Sequence, residues 1–155
     1  MTTLYVAGVA MTKFGPMPGS SVRSLTAEAV EACLDDAGAT AADVEAAYFS
    51  NTMQGVLEGQ LSIAGQIALR HTGIEGVPVV NVENACASGS TALWLACQHV
   101  QSGAADIVLA VGVEKMVFDG EAQRAAVMRA FEGGMDVSAG DEALDALLVL
   151  GAGVD

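Results

Sequence analysis

The chain has 155 residues, 52% of them hydrophobic, with a net charge of −13. That length suits one domain, the apolar content excludes disorder, and the charge repels nucleic-acid phosphates. Aromatics are only 5%, and the apolar residues are chiefly Ala, Val and Leu, a composition for close helix–sheet packing.

"TLYVAGVAMTKFG" opens on an apolar run, Leu4 to Val9, and breaks at Gly15, Pro16 and Pro18, so it predicts a strand and then a loop. "SSVRSLTAEAVEACLDDAGAT" predicts a helix opened by serine and closed by Gly38, with Leu25, Ala29, Ala32 and Cys33 on its apolar face. "VEAAYFSNT" predicts a second strand that ends in Ser50, Asn51 and Thr52. A helix over "GQLSIAGQIALRHTGI" and a strand over "VPVVNVENA" follow. A further helix runs from Cys86 to about Gln101, and "ADIVLAVGVEKM" holds the apolar run Ile107 to Val113 of a strand covered on both faces.

Strands alternating with helices predict a parallel sheet with helices packed on its faces. In such sheets chemistry gathers at the carboxyl ends of the strands. The tail after Met116 reads as helical pieces, glycine breaks and acids, and the ending "LGAGVD" reads as a chain interrupted.

The three cysteines, Cys33, Cys86 and Cys97, are an odd number without zinc-ligand or disulfide spacing, which sets the expectation of a reducing, cytoplasmic setting without a metal. No signal peptide or membrane span is read in the chain. Cys86 is the unusual one. It lies where a strand turns into a helix, and a thiolate is stabilised by the unpaired N–H groups and partial positive charge of a helix start. Ala85, Ala87, Ser88 and Gly89 around it are small enough to admit a bulky acyl group, and its own N–H is placed to face a developing oxyanion. Against this stands the ordinary role of a free cysteine as a small buried hydrophobe.

"NVENACASGSTAL", followed by "GAADIVLAVGVEKM", resembles the active-site block of the thiolase superfamily: Asn84 before Cys86, Ser88–Gly89 after it, then Gly112, Glu114 and Met116 at the end of the next strand. "FSNTMQGVLEGQLSIAGQIALRHTGI" is similar to the family's segment leading into its second helix, and the wording "NACASGS" is most like the sterol-carrier-type and bacterial thiolase-like acetyl-CoA acyltransferase branch.

The resemblance implies a thiolase-like N-terminal half: an α/β domain over residues 1–116, with a five-stranded mixed sheet and helices on both faces. Residues 117–155 would then begin a substrate-covering loop region, apparently truncated. It implies Cys86 as the nucleophile that takes an acyl group from acyl-CoA, with Asn84, Ser88 and Gly89 on the substrate side. The thioester would then undergo Claisen condensation or be formed in thiolytic cleavage of a 3-ketoacyl-CoA. Coenzyme A thioesters would be substrates, with no resident cofactor. It also implies a homodimer, or a dimer with a thiolase-like partner, through strands Pro78 to Val82 with Gly59–Gln60 nearby.

The chain departs from the family in lacking the second-half motifs: the Gly-His-Pro histidine, the Cys-x-Gly cysteine and the Asn-Glu-Ala-type segment. Its two histidines do not replace them. His99 is thirteen residues along a helix from Cys86, roughly 20 Å on a straight axis, and His71 reads as a helix-end residue. Cys33, Cys97, Trp94 and the methionines read as packing, Asn51 as a turn residue, and Glu83 and Glu114 as solvated. A fragment of a longer thiolase, a natural half that pairs with another chain, and a non-catalytic dimerising scaffold all fit these facts. Within the fold, a carbon–carbon lyase or a lipid-handling protein of sterol or fatty-acid metabolism is the alternative activity.

Overall fold

A computed structural model describes residues 3–132. The order along the chain is α1 (Val22–Ala37), β1 (Ala46–Ser50), α2 (Gln54–Glu58), α3 (Ala64–Leu69), β2 (Val79–Val82), α4 (Ser88–Gln101), β3 (Val108–Gly112) and α5 (Glu121–Glu132). The three strands form one parallel sheet in the order β2-β1-β3, with Ala47 opposite both Val79 and Leu109.

Side-chain alternation along β1 assigns its two faces. Ala47 and Phe49, fully buried, join Val22, Val30, Leu69 and Val111 in the core under α1 and α3. The other parity, Ala46, Tyr48 and Ser50, meets α4, whose buried stripe is Ser88, Ala92 and Ala96. Those small residues let α4 lie close across the sheet, as the Ala-rich composition anticipated. The parallel α/β layering and the helices on both faces therefore stand.

The sheet itself is corrected. It has three parallel strands among the described residues, not five mixed ones. The predicted first strand, Leu4 to Val9, is not one of them. A strand needs a neighbour to complete its backbone bonds, and this segment instead lies along the end of α1. Val9 N–H donates to Asp36 (2.9 Å), Cys33 Sγ donates to the Gly8 carbonyl (3.5 Å), and Tyr5, Val6 and Val9 stay exposed. Gly8 fits only because it has no side chain, since a Cβ there would stand 2.5 Å from the Cys33 carbonyl oxygen.

Two helices also differ from expectation. α1 starts behind Ser21, whose side chain accepts from Ser24 N–H, and ends at Gly38 in the left-handed conformation. Its buried stripe, however, is Val22, Thr26 and Val30, and Ala32 faces solvent. The helix predicted over residues 59–74 is confined to α3, because Gly59 and Ile63 take positive φ and stop regular winding ahead of it. β3 buries Leu109 and Val111, while Ile107 lies outside it and is 44% exposed. Of the tail, α5 is helical as expected and packs on α2; the rest lies outside the described residues. Among the described residues no helix is long and apolar enough to cross a membrane.

Candidate active site at the carboxyl ends of the strands

In a parallel sheet all carboxyl ends open on one edge, so three loops meet there: Asn51–Met53 after β1, Glu83–Ala87 after β2, and Val113–Lys115 after β3. Cys86 sits in the second. It is exposed, in a short 3₁₀ turn over Ala85–Ala87. The helix expected to begin at Cys86 begins two residues later, at Ser88, and no side chain caps its first turn.

That turn is strained and held. Ala85 has φ 45°, a region costly for a residue with a Cβ, and such strain persists only where the surroundings fix it. Ser88 supplies part of the fixing. Its hydroxyl is buried, accepts from Asn84 N–H at 2.8 Å and donates to the Ala85 carbonyl at 2.7 Å. Glu83 accepts from Ala85 N–H at 2.7 Å, and Asn84 Nδ2 donates to Thr91 Oγ1 at 2.9 Å.

From the β1 loop, Thr52 Oγ1 donates to the Ala85 carbonyl at 3.1 Å and lies 3.0 Å from Ser88 Oγ. Thr52 is held in turn by Glu114, at the end of β3. Glu114 accepts from Thr52 N–H (2.9 Å), Met53 N–H (3.0 Å) and Asn51 Nδ2 (3.0 Å). Asn51 also donates to the Val113 carbonyl at 2.6 Å and accepts from Gln54 N–H at the start of α2. Asn51 thus serves the turn expected of it, and Glu83 and Glu114, expected to be merely solvated, are engaged by backbone donors while still open to water.

Gly112 permits the closeness of the strand ends. A Cβ on it would stand 2.5 Å from Ser50 Oγ, whereas one on Gly89 would meet only that same oxygen, at 4.0 Å. The space beside Gly89 is open, in keeping with an uncrowded approach to Cys86. A cleft of about 210 Å³ opens between the β1 and β2 ends and the 60–64 loop, walled by Asn51, Thr52, Leu61, Ile63, Asn81 and Glu83; Cys86 is not in its wall.

The remaining candidates are elsewhere. His99 Nδ1 is 3.0 Å from the Tyr48 hydroxyl, its ring edge-on to the tyrosine, under the sheet. His71 is exposed after α3, where Thr72 rather than His71 bonds back to the Leu69 carbonyl. Burial, with Asp36 adding to it, pushes the Cys33 thiol up from its ordinary value. Sequence reading missed the Thr52–Glu114 link; its trace was polar residues directly after two apolar strands.

The class is now defined by the fold: a layered α/β domain with a cysteine turn at the carboxyl edge of a parallel sheet. The same fold is found in 3-oxoacyl-[acyl-carrier-protein] synthase III from Aquifex aeolicus, with a TM-score of 0.57 and 17% identity, over 72% of this chain and 35% of that one. The family follows from sequence. The family model described as "Thiolase, N-terminal domain" matches residues 4–149, and the chain belongs to that family.

Curated relatives include the acetyl-CoA acetyltransferase of Methanocaldococcus jannaschii, 43% identical over 75% of this chain and 29% of its own length. Sterol carrier protein 2 of Bos taurus is 44% identical over 74% of this chain and 20% of its own length. Non-specific lipid-transfer protein-like 2 of Caenorhabditis elegans is 40% identical over 73% of this chain and 27% of its own length. The chain thus spans between a fifth and three-tenths of the length of these relatives.

Proposed function

We propose that this chain is the nucleophile-bearing domain of a thiolase-type acyltransferase. The Cys86 thiolate attacks the carbonyl carbon of an acyl-CoA, the C–S bond to coenzyme A breaks, and the acyl group rests on Cys86 as a thioester. A second acyl-CoA carbanion then takes the acyl group in a Claisen condensation, and thiolytic cleavage of a 3-ketoacyl-CoA is the reverse. The observation that carries this reading is the exposed Cys86 in a rigidly tied turn, ahead of an uncapped helix. Asn84 and Gly89 flank the approach, while Ser88 shapes the turn from beneath. Neither histidine is cast as the base in this reading: His99 pairs with the Tyr48 hydroxyl, and His71 is exposed after α3.

In this reading residues 1–116 are the catalytic-cysteine domain and 117–155 begin the substrate-covering region, consistent with the change from sheet to α5 after Met116. The far edge of β2 is the natural dimer contact. β2 is an edge strand, with Val80 and Asn81 exposed on it. A reducing, cytoplasmic compartment suits an exposed free cysteine of this kind. A role in lipid metabolism is suggested by the lipid-transfer and sterol-carrier names of some relatives. The same names favour a second reading, a lipid-handling domain without acyl transfer.

Site-resolved labelling tests the proposal. With iodoacetamide near neutral pH, Cys86 labels first, ahead of half-buried Cys97 and of Cys33, whose thiol is pushed up by burial. With acetyl-CoA, intact-mass analysis finds one acetyl adduct, absent from Cys86→Ser. Equal labelling of all three thiols, or no adduct, overturns the acyltransferase reading, and no adduct supports the lipid-handling one.

A further inference from the structure

Ala85 has φ 45°, and an alanine does not hold that conformation unaided. Two hydroxyls grip its carbonyl: Ser88, the first residue of α4, and Thr52, from the loop after β1. Ser88 ties that carbonyl to the start of α4, and Thr52 ties it to the end of β1. Thr52 stands on a short loop whose three successive residues bond to one carboxylate, through the Asn51 amide and the N–H groups of Thr52 and Met53. That carboxylate is Glu114, carried on the end of β3. Bonds to an ionised acceptor are the stronger kind, and three donors converging on two oxygens leave little freedom.

We propose that Glu114 is a positioning residue for Cys86. Acting through Thr52, it locks the Ala85 turn and so fixes the cysteine relative to the ends of β1 and β3. This deepens the acyltransferase reading and rests on it for its catalytic meaning, but its physical content is the state of the turn.

The substitution Glu114→Gln keeps the shape of the side chain. It replaces one acceptor oxygen by an amide NH₂ that faces an N–H donor, so at least one of the three bonds is lost. The expected result is a fall of about tenfold in the iodoacetamide rate at Cys86, the scale of one charge-assisted bond, with the Cys33 rate unchanged. Thr52→Val, which removes the hydroxyl with its ties to Ala85 and Ser88 and leaves the Thr52 N–H on Glu114, gives a similar fall.

The decisive readout is rescue. Glycine adopts positive φ at no steric cost, so Ala85→Gly placed on Glu114→Gln restores most of the lost rate. A merely structural glutamate gives no such recovery. An unchanged Cys86 rate in both single variants, or a loss that Ala85→Gly does not repair, overturns the proposal. Should Glu114→Gln fail to fold, the same rescue is read on Thr52→Val. An intact Glu114 effect in a chain whose Cys86 takes no acetyl group from acetyl-CoA removes the acyltransferase reading and leaves the positioning role established.

Discussion

The Tyr48 hydroxyl lies 3.0 Å from Nδ1 of His99, tying the middle of β1 to the last turn of α4. One of the chain's two histidines is therefore a fastener between helix and sheet. Its partner is half-buried and the pair is edge-on, so the contact adds aromatic packing to a hydrogen bond. Tyr48→Phe keeps the ring and removes the bond. It is expected to lower unfolding stability by about 1 kcal/mol, read as a lower denaturant midpoint at unchanged slope. The iodoacetamide rate at Cys86 should not move, in Tyr48→Phe or in His99→Gln. A large drop in that rate would mean that His99 reaches the cysteine after all.

Acid sensitivity is expected at the opposite edge of the sheet, at the amino ends of the strands. Glu45 accepts from the N–H groups of Asp106 and Ile107, and these bonds hold its carboxyl below the usual carboxylate range, first through Asp106, then through Ile107, with His99 adding a smaller pull. A carboxyl depressed on folding binds fewer protons in the folded state than in the unfolded chain. Its stabilisation is thus complete above the ordinary carboxylate value and fades as pH falls through the folded-state value. Glu45→Gln should lower stability at neutral pH and flatten the acid limb of the stability–pH profile, so that variant and wild type converge as pH falls through the folded-state value. A profile that keeps the wild-type acid slope would show that these two bonds do not survive in solution.

Much of this architecture was legible in the sequence because burial and caps write directly into it. The apolar runs of β1, β2 and β3, the serine and glycine that bound α1, and the cysteine turn were read where they lie. The segment Leu4 to Val9 was not, because a strand is a property of a pair and sequence reports only one member. Glu114 escaped for a related reason. Its three donors are backbone and amide groups sixty residues away, and nothing in its own neighbours marks it as engaged. Thr52 was read as the polar end of a strand and lies in the loop two residues past β1; its grip on Ala85 depends on the parallel register that brings β1 and β2 to the same edge.

The tightest packing on the α1/α3 face gives the last prediction. Gly65 begins the winding of α3 directly over β1, where a Cβ would stand 2.6 Å from Phe49 Cβ and 2.9 Å from Asn81 Oδ1. Its N–H donates to that same Asn81 oxygen at 2.6 Å, so the helix cannot shift away without losing the bond that anchors it to β2. Nor can Phe49 give, being fully buried among Val30, Leu69 and Val111. Alanine is the better helix former, and helix propensity alone would make Gly65→Ala stabilising by somewhat under ~1 kcal/mol. Overpacking wins here: the substitution is expected to destabilise the domain by about 1–3 kcal/mol, lowering the thermal midpoint by several degrees. The matched change Gly89→Ala, in open space beside Ser50, is expected to leave that midpoint within about one degree or raise it, following propensity. Melting both variants side by side separates steric contact from helix propensity, and a stabilised Gly65→Ala would show that α3 is free to lift from the sheet.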